Sequence, residues 1–329
     1  MLRVATFNIE NLDDPANPTL DVRVPVLRSM LARAHADILC LQEVHGQELD
    51  GHTPSAPKRD LTALKRVIEG TEYERFFLAS TAMSKNVPYD KRNLVILSRY
   101  RILESRQYNN DFIDPLRYRR VTARPKEDEA VKIGWERPVF YARLDVPGYG
   151  PLHVINLHLK SKLATRIPGQ DEGSYAWRSP AGWAEGFFLS SIKRVGQALE
   201  TRVLLDELLE ADPGASIIVC GDLNAEPHEV PVEAIAGRVE NTDNPDLRHL
   251  VLVACSRSIP ETVRFSHYHH GHGNLLDHML VSQALLPHFR GAEIYNENLH
   301  DESLKHRYDT KYPESDHAPF VAEFDIGGC

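Results

Sequence analysis

The apolar residues of the chain fall into short runs separated by polar segments, a pattern typical of buried strands in an α/β protein. Helices are predicted at about residues 22–35, 61–68 and 184–209. Strands are predicted at residues 4–9, 38–41, 94–97, 139–144, 154–157, 217–220, 250–254, 279–282 and 320–324. Asp60 is predicted to cap the second helix, and Asp212-Pro213-Gly214 to end the third.

The polar segments between these elements are long for a compact domain, and long loops often line binding sites. They cover residues 46–59, 109–135 and 162–183. None resembles an interdomain linker, and the chain has no internal repeat or low-complexity tract. The pattern therefore predicts one domain over residues 1–329, with loops around one edge of its strands.

The composition indicates a folded protein without a membrane span. Hydrophobic residues make up 42% and charged residues 26% of the 329, and no apolar run approaches the roughly 18 residues that a span needs. The first residues enter a strand pattern at once, which leaves no room for a secretion signal and favours a cytoplasmic location. The four cysteines show neither zinc-ligand nor disulfide spacing, in keeping with a reducing compartment.

The net charge of −9 argues weakly against general nucleic-acid binding, because such domains usually carry a basic surface. A local basic surface remains open. The segment from Arg117 to Lys126, here called the basic segment, contains five basic residues in ten and is followed directly by Glu127-Asp128-Glu129.

Polar residues recur at the ends of the predicted strands, beginning with Asn8 and Glu43. A carboxylate at the end of a buried strand, such as Glu43, needs a partner, because burial of an unpaired charge is costly. A salt bridge to an arginine would supply one. A hard divalent cation fits better, since Mg²⁺ is typically held by one or two carboxylates together with water and substrate phosphate.

Two further strands end in polar pairs spaced two residues apart. Asp222 and Asn224 follow Gly221 and point to one side if the backbone stays extended, so a base and an amide are delivered together. An Asx-turn would explain the same residues. Asn156 and His158 share one face of their strand, where the histidine could instead be an edge residue in water.

The last polar positions lie near the C-terminus. Asp277 precedes an apolar strand and could orient a histidine, as acid–imidazole pairs commonly do. Asp316 and His317 are adjacent, so on an extended chain one could bind metal while the other meets substrate.

Taken together, these positions closely resemble the motif series of the endonuclease/exonuclease/phosphatase superfamily. That superfamily includes deoxyribonucleases, abasic-site endonucleases, deadenylases, sphingomyelinases and inositol polyphosphate phosphatases. The matching residues are Asn8, Glu43, Asn156-x-His158, Asp222-x-Asn224, Asp277 and Asp316-His317. The resemblance extends from residue 4 to about residue 324 and includes the strand that follows Arg92.

The resemblance implies a four-layer α/β sandwich, in which two mixed β-sheets pack face to face with helices outside and the active site lies at one edge. It also implies metal-assisted hydrolysis of phosphoesters, with Mg²⁺ or Mn²⁺ polarising the phosphate while water attacks in line. The expected metal ligands are Glu43, Asn8 and Asp316.

The other roles follow from the same motifs. Asp222 is expected to position or deprotonate the attacking water, and Asn224 to hold that water or a phosphate oxygen. His317 would contact the phosphate, oriented by Asp277, and His158 would protonate the leaving oxygen.

The sequence departs from the deoxyribonuclease branch at one place. In that branch, an acidic residue hydrogen-bonds to the histidine that corresponds to His158. The strand that supplies this acid has Arg92 and Asn93 at the same place here, so Asp90 or Asn156 would have to hold His158 instead.

Four residues near the motifs are expected to contact substrate. They are Asn93, Asn156, Lys160 and Lys162. The two lysines directly follow His158, where they would place positive charge beside the scissile phosphate or simply be solvated. The basic segment could follow a phosphate backbone or form a solvated hairpin. The histidine-rich loop, residues 267–272, favours a surface facing substrate over a separate transition-metal site.

These observations favour a Mg²⁺- or Mn²⁺-dependent phosphodiesterase acting on nucleic acid. The alternative is the same chemistry on a small or lipid-derived phosphoester, which the acidity of the chain supports modestly. A binding module without activity is disfavoured, because Glu43, Asp222 and His317 are all present. The sequence sets no oligomeric state.

Overall fold

Strands outnumber helices in a computed structural model that describes residues 1–14, 18–171, 173, 176–304 and 312–327. In chain order, the strands are β1 (Leu2–Leu12), β2 (Ile38–Val44), β3 (Gln47–Glu48), β4 (Arg59–Asp60), β5 (Phe77–Ser80), β6 (Asn93–Ser98), β7 (Arg101–Tyr108), β8 (Leu116–Tyr118), β9 (Val131–Ile133), β10 (Val139–Val146), β11 (Gly150–His158), β12 (Ser216–Asp222), β13 (Val253–Ala254), β14 (His267–His269), β15 (His272–Asn274), β16 (Asp277–Val281), β17 (Phe289–Ile294) and β18 (Phe320–Phe324). The α-helices are α1 (Leu20–Ala34), α2 (Thr62–Ile68), α3 (Pro180–Ala211) and α4 (Val230–Ala236).

Two six-stranded sheets form the centre of the molecule. The strand order is β17-β18-β1-β2-β6-β5 in the first sheet and β13-β16-β12-β11-β10-β7 in the second. Within the described residues, each sheet contains one parallel pair, β1 with β2 and β11 with β12, and its other pairs are antiparallel. Parallel neighbours need a crossover connection, which α1 supplies in the first sheet and α3 in the second.

Alternation of side chains along the strands builds the layers. In β2, Ile38 and Cys40 pack between the two sheets, whereas Leu39 and Leu41 pack against α1 and α2. Strand β12 alternates in the same way between the inter-sheet core and the side covered by α3 and α4. Each fully buried side chain of this size contributes roughly 1.5–3 kcal/mol. The layers run helices, sheet, sheet, helices, which confirms the predicted four-layer α/β sandwich.

The predicted helices are present with shifted ends. Helix α2 begins at Thr62 after Leu61, so the expectation that Asp60 caps it is wrong: the Asp60 carboxylate instead accepts from the Leu61 N–H at 2.8 Å. Helix α3 starts earlier than predicted, because the Ser179 hydroxyl accepts from the Gly182 N–H at 3.0 Å and Pro180 fits the first helical position. It ends at Ala211 with Asp212 as its C-cap, so Asp212-Pro213-Gly214 ends the helix as expected.

The central strands match their predictions more closely than the edge strands do. The predicted strand at 250–254 is reduced to β13, because short 3₁₀ helices at Pro245–Leu250 and Cys255–Ser258 flank it. Strands β5, β7 and β17 were not predicted, since each lies at a sheet edge and exposes many of its side chains. Among the described residues, none of the helices combines the length and apolar character that a membrane span requires.

Candidate active site

The register of three neighbouring strands brings the predicted catalytic residues side by side. His158 in β11 stands opposite Asp222 in β12, and Asp222 stands opposite Asp277 in β16. Gly221 permits this approach, because its φ is +136° and a Cβ there would lie 2.0 Å from the Leu157 carbonyl oxygen. A glycine is therefore required immediately before Asp222.

Asp222 is buried and held by hydrogen bonds from two asparagines. Asn8 Nδ2 donates to its Oδ2 at 3.0 Å, while Asn224 donates from its backbone N–H to Oδ1 at 2.9 Å and from Nδ2 to Oδ2 at 3.0 Å. Burial raises the pKa of Asp222 to about 6, with the charges of Asp277 and Glu43 adding to the rise and His317 opposing it. The group is ionised at neutral pH and can accept a proton.

His317 and Asp277 form a buried acid–imidazole pair. The His317 Nδ1 atom lies 2.6 Å from Asp277 Oδ2, and its Nε2 atom lies 3.9 Å from Asp222 Oδ2. Burial disfavours the charged imidazole, but the carboxylates of Asp277 and Asp222 outweigh it and raise the pKa of His317 well above its usual value. These charges favour the imidazolium form of His317, whose Nε2 atom faces the Asp222 carboxylate.

His158 lies on the other side of Asp222 in a different electrostatic setting. Its Nε2 atom is 3.4 Å from Asp222 Oδ2 and 3.6 Å from Glu43 Oε1. Burial lowers the pKa of His158 well below its usual value, and the positive charges of Arg137 and Arg92 lower it further. The pKa values of the two histidines that flank Asp222 are thus shifted in opposite directions.

Neither candidate for bracing His158 reaches it. Asp90 accepts a hydrogen bond from Arg59 at 2.9 Å, and the Asn156 side chain bonds to the first sheet. The buried Nδ1 atom of His158 has no hydrogen-bond partner within the described part of the chain. Within the described residues, no side chain takes the place of the acid that holds the corresponding histidine in the deoxyribonuclease branch.

Carboxylates gather beside this group at the ends of β1, β2 and the loop before β18. Glu43 Oε2 accepts from the Asn11 N–H at 2.9 Å, and the Asp316 N–H donates to Glu10 Oε2 at 3.2 Å. Arg23 from α1 lies behind them, donating to the Glu10 carbonyl at 2.9 Å. Burial lowers the pKa of Arg23, while the charges of Glu10, Asp316 and Glu43 raise it, so its cation balances this acidic group.

The donor atoms at this edge fit a divalent cation. Oxygen or nitrogen atoms of Asp222, Asp277 and His317 lie within 4.8 Å of one another. Both ring nitrogens of a His317 imidazolium carry a proton, so only the two carboxylates could bind a cation there. One of their atoms, Asp277 Oδ1, is buried without a hydrogen-bond partner among the described residues. A second group with the same spacing consists of His267, Glu302 and Asp316. Carboxylate-rich sets of this kind suit Mg²⁺ or Mn²⁺, which prefer oxygen ligands. The predicted ligands Asn8, Glu43 and Asp316 all lie at this edge.

Two residues expected to contact substrate have structural positions instead. The fully buried Asn156 amide donates to the Leu41 and Val95 carbonyls, each at 3.0 Å, and accepts from Gln42 at 2.7 Å. The buried Asn93 amide donates to the Val44 and Tyr89 carbonyls and accepts from the Tyr89 N–H at 2.8 Å. Because these groups are committed to protein atoms, we assign both residues to holding the strand ends in place.

The two lysines after His158 have partners of their own. Lys160 Nζ donates to Ser161 Oγ at 3.1 Å, and burial lowers the pKa of Lys160 to about 8. Lys162 is exposed and lies 2.6 Å from Glu229 Oε2. Strand β11 ends at His158, so the alternation that placed both lysines on the face of this histidine does not continue.

The histidine-rich loop is a hairpin, β14 with β15, that contacts the site. His267 forms a β-bridge with His317, and its Nε2 atom lies 3.0 Å from Glu302 Oε2. The backbone N–H groups of His270 and Gly271 donate to Asp301 at 3.0 and 2.7 Å. The hairpin therefore covers the imidazolium side of the site.

The basic segment lies partly in a second hairpin, β8 with β9, that is docked on α3. Glu185 of α3 accepts hydrogen bonds from Tyr118 and from the backbone of Val121 and Thr122. Arg120 pairs with Glu127, so that cation is neutralised. The exposed cations of the segment are Arg117, Arg119, Arg124 and Lys126.

Several residues of the candidate site were not predicted from the sequence. Glu10 could have been found, because it lies two residues after Asn8 on the same side of an extended strand. Arg23 and Arg137 could not have been found in this way. Both are distant in sequence from the motif residues, and only the folded structure brings them to the site. Arg137 donates to the His158 and Leu159 carbonyls at 3.2 and 3.1 Å.

A two-sheet sandwich that holds carboxylates and histidines across its central strand ends has the architecture of a phosphoester hydrolase. Residues 5–317 match the Endonuclease/Exonuclease/phosphatase family. The chain belongs to this family, whose members are phosphoester hydrolases, and the resemblance inferred from the motifs is confirmed. No curated protein sequence matches the chain.

Solved structures with the same fold differ in what they act on. A 3′ phosphatase from Neisseria, bound to a product DNA hairpin, is 18% identical, with a TM-score of 0.54, and the match covers 99% of this chain and 100% of that one. An AP endonuclease from Archaeoglobus fulgidus is 17% identical, with a TM-score of 0.53 and the same coverage. A mannosyl-6-phosphatase from Bacteroides thetaiotaomicron is 15% identical, with a TM-score of 0.59, covering 98% of this chain and 99% of that one. At these identities, the likeness shows the fold alone.

Proposed function

We propose that this protein is a divalent-metal-dependent phosphodiesterase that hydrolyses nucleic acid by in-line attack of an activated water. The observation that carries the proposal is the position of Asp222 between His158 and His317. A carboxylate flanked by one neutral and one charged imidazole offers a proton acceptor and a phosphate-binding cation on the two sides of one reacting centre.

Glu43, Asn8 and Asp316 would hold Mg²⁺ or Mn²⁺, with Glu10 close enough to contribute. When bound, such an ion acts as a Lewis acid on a phosphate oxygen. Two contacts support this set: the Asp316 N–H donates to Glu10 Oε2 at 3.2 Å, and the Asn11 N–H donates to Glu43 Oε2 at 2.9 Å.

Asp222 orients and deprotonates the attacking water in this mechanism, helped by Asn224, which fixes the carboxylate through two hydrogen bonds. The His317 imidazolium, held by Asp277, stabilises the charge that develops on the phosphate. His158 donates a proton to the leaving oxygen. The negative charge of a bound phosphate favours a protonated imidazole, so we expect His158 to take up that proton as substrate binds.

Nucleic acid is favoured as substrate because the exposed arginines of the basic segment give an otherwise acidic chain a local cationic surface. The DNA-bound Neisseria relative supports this choice. Lys160, whose ammonium lies near the end of β11, would add positive charge beside the reacting phosphate. The second candidate is a small phosphoester, which the net charge of −9 and the sugar phosphatase relative support.

Cleavage of supercoiled plasmid tests the proposal directly. The purified protein is incubated with Mg²⁺, Mn²⁺ or EDTA beside an Asp222→Asn variant and a chromogenic phosphodiester. We expect metal-dependent nicking that EDTA and the variant abolish. Hydrolysis of the small ester with intact plasmid would overturn the nucleic-acid assignment in favour of the second candidate, and full activity of the variant would overturn the mechanism.

A further inference from the structure

Arg92 occupies a fixed position at the edge of the first sheet, beside the metal-binding carboxylates. It directly precedes β6, and the pairing of β2 with β6 places Asn93 opposite Val44, the residue after Glu43. The Asn93 amide donates to the Val44 carbonyl at 2.9 Å and to the Tyr89 carbonyl at 2.8 Å. The backbone that presents Arg92 is therefore held on both sides.

The backbone of Arg92 is strained. Its φ is +59°, in the left-handed region that side chains with a Cβ rarely adopt. Of the nine other non-glycine residues with positive φ in the described part of the chain, four lie at the same edge of the molecule: Glu10, Asn11, Glu43 and Asn224. Strain of this kind persists only where surrounding contacts enforce it, and it concentrates at functional sites. Arg92 is the member of this group to which the proposed mechanism gives no role.

The guanidinium of Arg92 is exposed and makes no hydrogen bond or ion pair with the part of the chain that the structure describes. Two nearby cations have protein partners: Arg137 donates to the His158 carbonyl, and Lys162 pairs with Glu229. His158 Nε2 lies 3.6 Å from Glu43 Oε1, and Arg92 precedes Asn93, which pairs with the residue after Glu43, so Arg92 lies on the leaving-group side of the site.

We propose that Arg92 binds a phosphate of the substrate on the His158 side of the active site. This inference rests on the proposed function and deepens it, because it adds a phosphate-recognition residue to the reacting centre. A guanidinium presents its N–H donors in a planar fork that matches two phosphate oxygens. The phosphate is either the scissile group or the next one along a polynucleotide, and both offer the same oxyanion chemistry.

The test removes the side chain without adding backbone strain. Arg92→Gly suits a positive φ, so we expect its melting temperature to equal or exceed that of the wild type. Loss of charge-assisted hydrogen bonds should raise KM for an oligonucleotide by about 10-fold or more while kcat changes by less than about threefold. The matched control is Lys91→Ala, which removes an adjacent exposed cation and should leave both constants within about twofold.

Two substrates distinguish the two phosphates. If Arg92 binds the scissile group, KM rises equally for the oligonucleotide and for bis(p-nitrophenyl) phosphate, which has a single phosphate. If it binds the flanking group, KM rises for the oligonucleotide only. Unchanged KM for both substrates in Arg92→Gly would overturn the inference.

A binding measurement keeps the inference testable if the proposed function fails. Calorimetric titration of inorganic phosphate into the Mg²⁺-supplemented wild type, Arg92→Gly and Lys91→Ala proteins needs no turnover. We expect weaker phosphate binding in Arg92→Gly alone. Equal affinity in all three proteins, or no binding in any, would refute the role of Arg92 whatever the enzyme hydrolyses, whereas failure of the proposed function would show as absent plasmid cleavage.

Discussion

The Nδ1 atom of His317 lies 2.6 Å from Oδ2 of Asp277, and the aspartate is completely buried. Two serines fix the backbone on either side of this contact. The Asp277 N–H donates to Ser266 Oγ at 3.0 Å, and the His317 N–H donates to Ser315 Oγ at 3.1 Å. The pair is therefore assembled before substrate arrives, and no rearrangement is needed to orient the imidazolium.

Replacing Asp277 with asparagine should keep the shape of this contact and remove its charge. The pKa of His317 then falls, because the Asp277 carboxylate is the foremost of the influences that raise it. Without the imidazolium, we expect kcat to drop about 10²- to 10³-fold at neutral pH, the cost of removing one charge-stabilising donor. Steady-state kinetics and an NMR titration of His317 measure the two effects. The control is Asp246→Asn at an exposed position, and wild-type kcat in Asp277→Asn would contradict the assignment.

The family resemblance predicted that Asp277 orients His317, but nothing in the sequence predicted the surroundings of His158. Acid–imidazole pairs are common, so Asp277 by itself indicated only that it could orient some histidine. The state of His158 depends on burial, on Arg137 and on an Nδ1 atom without a partner among the described residues. These features arise from packing between distant segments, which no local pattern reports.

His158→Gln separates proton donation from binding. General acid catalysis is worth about 10²- to 10⁴-fold when the leaving group is a poor one. We therefore expect a decrease of that size in kcat on a polynucleotide, whose leaving group is a sugar alkoxide, and a much smaller decrease on a p-nitrophenyl ester, whose leaving group needs little protonation. Parallel kinetics on the two substrates measure the difference. Equal decreases on both would indicate that His158 acts through position or stability instead.

The fold was predictable where burial imposes alternation. Central strands such as β2 and β12 are buried on both sides, so their sequences are continuous apolar runs. Strand β7 exposes residues such as Arg101 and Arg106, so its sequence resembles a polar loop. Asn156 shows a related limit. Alternation predicted only that Asn156 shares a face with His158, and it is the opposing sheet that shows the Asn156 amide bonded to the Leu41 and Val95 carbonyls.

Asn156→Ala should therefore reduce stability more than it affects substrate binding. The substitution removes the amide hydrogen bonds to the buried carbonyls of Leu41 and Val95, and unsatisfied buried groups cost about 1–3 kcal/mol each. We expect the free energy of unfolding to fall by roughly 2–4 kcal/mol in urea titrations, with KM unchanged. Asn109→Ala, at an exposed position, should change stability by less than about 0.5 kcal/mol. A stable Asn156→Ala protein with raised KM would restore the substrate-contact interpretation.

A buried histidine outside the catalytic group should make stability depend on pH. His278 is buried, its Nε2 atom lies 2.8 Å from the Ala225 carbonyl oxygen, and burial lowers its pKa. In the unfolded chain a histidine titrates near about 6.5. Below that pH the unfolded chain takes up a proton that the folded protein does not. The stabilising contribution is therefore present above about pH 6.5 and disappears as pH falls toward the folded pKa.

His278→Gln removes this titration and keeps a donor for the Ala225 carbonyl. We expect the unfolding free energy to decrease less between about pH 7.5 and about pH 5.0 in the variant than in the wild type, by about 1.4 kcal/mol for each pKa unit of difference between the folded and unfolded states. Urea titrations at the two pH values measure it. Other buried groups titrate equally in both proteins and cancel in the comparison, so identical pH dependence would mean that His278 is not held neutral.

The exposed arginines of the basic segment should govern how activity on nucleic acid depends on salt. The side chains of Arg119 and Arg124 make no hydrogen bond or ion pair with the described residues, whereas Arg120 is paired with Glu127. Replacing Arg119 and Arg124 with alanine should raise KM for nucleic acid and reduce the slope of log KM against log salt by about 0.7–0.9 for each phosphate that the protein no longer neutralises. The hairpin should stay folded, because Glu185 anchors it through Tyr118 and the Val121 backbone. Arg257→Ala, which removes an exposed arginine from another segment, serves as control, and an unchanged slope in the double variant would leave the basic segment as a solvated hairpin.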